Sequence, residues 1–222
     1  MTEEELLRNC YPDLVDAYSC LFLDGDPTST LCKEEQELIL VGVCAALGSE
    51  EEVAEHGKKA LEAGASPEAV AEAVLTATIS RGEGALRTAL CFLSELPLSD
   101  GSVDLQSKVD RSPLEYFESQ LGELPEWVRQ LQEFAPDSLA SYAALRSRIL
   151  VDAAMSRRAK ELLTMLLNAV AGNTGGIRSH AKAAMQYGAD KREILSVLLL
   201  GVRVGGIVVW INGVNALSEP RE

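Results

Sequence analysis

Residues 161–180 read ELLTMLLNAVAGNTGGIRSH, and 124 positions earlier residues 37–56 read ELILVGVCAALGSEEEVAEH. Each stretch opens on a glutamate, runs through an apolar segment to a glycine, and closes on one of the chain's two histidines. The same offset holds outside this window. Pro12-Asp13 falls on Pro136-Asp137, Tyr18 on Tyr142, Gly64-Ala65 on Gly188-Ala189, and Gly82 on Gly206. An uninterrupted series at one offset marks a tandem duplication, and it has to be found before single elements are placed.

The repeated unit reads as helical. Ala, Leu, Glu and Val recur in segments far longer than a strand, and only 5% of the residues are aromatic. PDSLASYAALRSRILV, from Pro136, is an amphipathic opening helix, and SRRAKELLTMLLNAVAG follows with Ser156 as N-cap and Gly172 as stop. GGIRSHAKAAMQYGA ends at Gly188 and places His180 one turn into its helix; DKREILSVLLLGVRV starts on an Asp cap and runs into Gly205-Gly206. In the first copy SPEAVAEAVLTATIS has Ser66 as cap and Pro67 at the first helical position. The expectation is an all-α chain of two domains, 1–98 and 113–222. Between them a surface linker, 99–112, lies within the polar stretch LPLSDGSVDLQSKVDRSP.

Charge narrows the partners. The net charge is −14, and it is uneven: residues 1–98 carry 6 basic and 19 acidic groups, residues 99–222 carry 14 and 15. No basic stripe is present to release phosphate counterions, so nucleic acid is not an expected partner. The most apolar run, ILSVLLLGVRVGGIVVWI (194–211), has Arg203 and a Gly-Gly pair at its middle and reads as a core or interface helix, not a membrane span. Cys10, Cys20, Cys32, Cys44 and Cys91 form no C-x-x-C motif, and no secretory signal precedes them. Reduced thiols in the cytoplasm are expected. Cys44 and Cys91 read as small core residues, Cys32 as an exposed cap matching Ser156, and Trp127 and Trp210 as packing or subunit-contact residues.

These residues resemble the carboxymuconolactone decarboxylase family, whose fold is called AhpD-like, and the resemblance covers nearly the whole chain as two tandem family domains. The redox branch of that family carries E-x11-C-x2-C-x3-H, in which the Glu and His serve a reactive cysteine pair. Glu161 and His180 keep that spacing, as do Glu37 and His56. At the cysteine positions stand Asn173 and Gly176 in the second copy, and Ser49 and Glu52 in the first. A thiol peroxidase cycle needs a thiolate and a resolving partner, and none of these four side chains supplies one. Members of the decarboxylase branch also lack the pair. The resemblance therefore implies non-redox acid/base chemistry, a decarboxylation or related lyase step, on a small carboxylated molecule. The alternatives are a catalytically silent binding or scaffold protein and, last, a peroxidase using another cysteine.

On that reading His180 handles a proton, Glu161 orients the ring, and Asn173, Gly176 and Arg178 meet the substrate's carboxylate at a helix N-terminus. The other account, a buried structural hydrogen bond between two helices, stands beside it. The first-copy residues Glu37, Ser49, Glu52 and His56 form a degenerate site crowded by Glu50, Glu51 and Glu55, where an anion meets like charge. Glu37, Glu52 and His56 have the donor types of a metal site, but an acidic helix start favoured by the helix dipole is the simpler account. Neither a metal nor a cofactor is expected. Because single-domain decarboxylase relatives form hexameric rings, two fused domains imply a homotrimer first and a dimer second.

Overall fold

The structure is a computed structural model that describes residues 3–23, 30–98 and 111–218, and among these there is no strand. Ahead of the first repeat core come α1 (Glu3–Cys10), a 3-10 turn (Pro12–Leu14), α2 (Val15–Tyr18) and a π turn (Ser19–Leu23). The core follows as α3 (Lys33–Leu47), α4 (Glu50–Glu62), α5 (Pro67–Arg81) and α6 (Glu83–Ser94). After α7 (Pro113–Leu121), α8 (Glu126–Phe134) and α9 (Pro136–Ile149), the second core comprises α10 (Arg157–Ala171), α11 (Thr174–Gln186), α12 (Lys191–Gly205) and α13 (Ile207–Ser218). Every start and every end of α3–α6 lies 124 residues before its counterpart in α10–α13. Most of the proposed linker, 99–110, lies outside the described residues.

Local chemistry sets these boundaries. Ser66 and Ser156 accept the backbone N–H groups of Ala69 and Ala159, both at 3.1 Å, and Asp190 forms a capping box with Glu193. Gly48 and Gly172 stop α3 and α10 in the left-handed region, at φ +85° and +70°. Asn173 caps α11 by accepting the N–H of Gly176, so that helix starts at Thr174 and His180 falls in its second turn. The apolar run 194–211 is not one helix. Gly206 (φ +71°) breaks it into α12 and α13.

α3 and α10 lie at the centre and pack against each other, and α10 also packs on α5. Residues 37–45 and 159–167 are buried without interruption, which is why these two segments are apolar around most of the helix apart from Glu37, Lys160, Glu161 and Thr164. A Cβ on Gly42 would come within 2.5 Å of the Leu163 side chain, so the close approach of the two central helices requires glycine there. One core therefore joins both halves. A smaller cluster of Tyr116, Phe117, Val128, Leu139 and Ala143 fixes α7 and α8 against α9. One surface feature departs from expectation. Cys91 is exposed, because α6 turns Ala85, Ala89, Phe92 and Leu93 inward instead. Leu195, Ile207, Val208 and Ile211 remain exposed at 41–57%.

Candidate active site between the two repeats

Glu161 is fully buried on α10, and both carboxylate oxygens are engaged. Oε1 accepts Arg157 Nε at 2.7 Å, one helical turn away, and Oε2 faces His180 Nδ1 of α11 at 2.6 Å. The arrangement recurs in the first copy, where Glu37 pairs Lys33 at 2.5 Å and His56 Nδ1 at 2.6 Å. An ionised carboxylate only accepts, so Nδ1 carries the proton in each ring and Nε2 is left with its lone pair.

Burial holds the His180 imidazole below its ordinary value, and the charges of Arg146 and Arg157 act in the same direction against the pull of Glu161. Burial alone would raise Glu161, but its hydrogen bond to His180 and the nearby positive charges outweigh burial and leave it below the ordinary carboxylate range. Glu37 falls to about 2 by the same balance, burial being overcome by His56 and Lys33. The resting second site is thus a neutral imidazole on an ionised glutamate.

His180 lines a cleft of about 840 Å³. Its walls come from both repeats. Ile79, Ser80 and Arg81 belong to α5 of the first copy; Phe117, Trp127, Tyr142 and Arg146 come from α7–α9; Asn168, Asn173, Gly176 and Arg178 come from α10 and α11. Phe117 and Tyr142 stack at 5.9 Å, with Trp127 set edge-on to both. Trp127 packs, as the sequence suggested, and also lines the cleft.

Each residue singled out from the sequence has a definite place. The Asn173 carboxamide caps α11 through Gly176 N at 3.1 Å and donates to Asn168 Oδ1 at 2.8 Å. Gly176 makes room for that network, since a Cβ there would sit 2.0 Å from Asn168 Oδ1. Arg178 donates Nε to the carbonyl of Ala216 at 2.8 Å. In the first copy Ser49 is the N-cap of α4 without a side-chain cap bond, and Glu52 is exposed. Cys44, the counterpart of Asn168, is buried, and burial together with Glu52 pushes its thiol up. No thiol lines the cleft. Among the described residues no three His, Cys, Asp or Glu side chains gather as a metal would require.

Arg146 is the cleft residue that sequence reading missed. It stands on the buried face of α9 with Leu139 and Ala143, at spacings of seven and three. A cation in register with an apolar stripe was the available signal. Arg81 and Ile79 gave none, because only the packing of α5 on α10 brings them to the site.

The profile of the carboxymuconolactone decarboxylase family matches residues 12–95 and 136–219, two segments again separated by 124, and the chain belongs to that family. A crystal structure from Burkholderia xenovorans, described as that of a candidate gamma-carboxymuconolactone decarboxylase subunit, superposes with a TM-score of 0.65 at 23% identity. The match covers 98% of this chain and 89% of that one, and shows a shared fold. Among curated proteins none matches.

Because His180 is depressed in the folded protein, the unfolded chain binds its proton first as pH falls below 6.5, and stability drops. Glu37, also depressed, adds a second loss as pH falls from 4.5 towards 2. Thermal melting from pH 7 down to 4.5 should show a decline in the wild type that is shallower in a folded His180→Gln variant. Equal slopes would mean that His180 titrates normally.

Proposed function

We propose that the second site performs non-redox acid/base chemistry on a small carboxylated molecule, a decarboxylation or a related carbon–carbon lyase step. The observation that carries this is the His180–Glu161 pair, 2.6 Å apart, at a cleft with cationic walls and no thiol. Nε2 of the neutral ring takes up a proton from solvent, and Glu161 stabilises the imidazolium that results. When the carbon–carbon bond breaks, its electron pair moves onto the substrate as an enolate while carbon dioxide departs. The imidazolium then gives the proton to that carbon. Asn173, Gly176 and Arg178 shape the floor of the cleft where the first turns of α11 meet the ligand. Glu161 is a positioning residue in this scheme.

The first copy is assigned no catalysis. There Lys33 pairs Glu37 and Lys59 pairs Glu55, with Glu52 nearby, so the charges are close to balanced, whereas Arg146 and Arg157 outnumber Glu161 in the second. The domain limits proposed are 1–98 and 113–222, joined by 99–112. The five free cysteines support a cytoplasmic setting. A homotrimer is proposed as the assembly, its contacts drawing on the exposed Leu195, Ile207, Val208 and Ile211.

Carbon dioxide release from a panel of unsaturated lactone carboxylates, carboxymuconolactone among them, tests the chemistry. His180→Ala should cost ~10²-fold or more in rate and His56→Ala far less. Unchanged turnover in folded His180→Ala removes the proton-handling role; binding without turnover by the wild type favours a silent binding protein. Light scattering should give the mass of three chains. A concentration-independent monomer refutes the trimer.

A further inference from the structure

Arg146 is 5% exposed, and its Nε is buried without a hydrogen-bond partner. Beside it the Tyr116 hydroxyl is equally buried and makes no well-aligned hydrogen bond, and Arg146 acts on that phenol both through its charge and at close range. A guanidinium cannot shed its proton, so a buried N–H of that group left without a hydrogen bond is costly. The Glu161 carboxylate attracts Arg146 through space but does not hydrogen-bond its Nε. Both oxygens of Glu161 are taken, one by Arg157 and one by His180. Other basic groups of the site differ in this respect: Arg157 also reaches Gln120 at 2.9 Å, Arg81 donates to the Leu167 carbonyl at 3.3 Å, and Arg178 donates to Ala216.

Arg146 nevertheless lines the cleft, together with His180 and the rings of Trp127 and Tyr142. We infer that Arg146 receives the carboxylate of the ligand, and that the rest of the ligand is a flat aromatic or conjugated group lying against Trp127 and Tyr142. A planar fork of donors suits a carboxylate, and aromatic walls favour a flat partner. The inference rests on the reading of this cleft as the substrate site, and it adds the group that selects for negative charge. Arg146 thus becomes a binding residue for the proposed reaction, holding the ligand near Nε2 of His180. The offset places Phe22 opposite Arg146, so the first copy has no equivalent cation.

Equilibrium binding of benzoate and of neutral benzamide, by calorimetry, tests this without turnover. Wild-type protein should bind benzoate saturably and more tightly than benzamide. Arg146→Gln should weaken benzoate by about tenfold or more and leave benzamide within about twofold. Should Arg146→Gln fail to fold, Arg146→Lys replaces it, and the Nε–H resonance that it removes from the wild-type spectrum should shift in step with benzoate saturation. The inference falls if folded Arg146→Gln binds benzoate as the wild type does, or if both ligands weaken equally. It falls also if the loss follows Arg178→Gln instead, if the Nε–H resonance ignores benzoate, or if the wild type binds none. The two proposals fail separately. Normal turnover in His180→Ala with benzoate still dependent on Arg146 ends the acid/base reading alone, whereas loss of turnover in His180→Ala with benzoate indifferent to Arg146 ends this one alone.

Discussion

A carboxylate buried at the centre of a helical protein has to be held from two sides, and each repeat solves this in the same way. Glu37 and Glu161 are at most 1% exposed on the central helices α3 and α10, and each is gripped by a cation one turn earlier and by an imidazole from the next helix. Removing one partner of such a group typically costs about 3–5 kcal/mol, because the remaining charge stays buried. The histidine is therefore fixed in place, in tautomer and in ring orientation. The same interaction that joins α10 to α11 leaves Nε2 outside the pair on a ring that lines the cleft, so packing and the proposed proton handling share one hydrogen bond.

Around that shared grip the copies have diverged in charge. The first keeps a lysine that is 63% exposed, with Glu55 acting on its histidine and Glu52 on the neighbouring Cys44. The second replaces the lysine with buried Arg157, adds Arg146 from α9, and is covered by α7 and α8 with their aromatic cluster. The second frame thus has an aromatic wall and more positive than negative charge around its glutamate. The cleft walls include α5 of the other copy, so the site exists only where the repeats meet.

Much of this was legible in the sequence because it is written locally. Ser66, Ser156 and Asp190 cap their helices through their own side chains, and the glycines at 48, 172 and 206 end or break them through backbone conformations that other residues resist. The Glu-to-His spacing of nineteen residues brings the pair together wherever two helices are joined by so tight a turn. What the sequence did not yield is built from distant segments. Arg81, Trp127 and Arg146 come to one cleft by packing alone, and Cys91 turns outward because four neighbours on α6 are better suited to the core.

The central proposal is that, of two near-identical Glu–His frames, the one that lines the cleft at His180 is the one that meets the ligand. The chain has just two histidines, so an ¹⁵N-histidine spectrum contains only two rings. Titrating such protein with benzoate reports on both frames at once. The account predicts that the His180 ring nitrogens shift saturably while those of His56 stay fixed. A response at His56 equal to that at His180, or none at either ring, contradicts it.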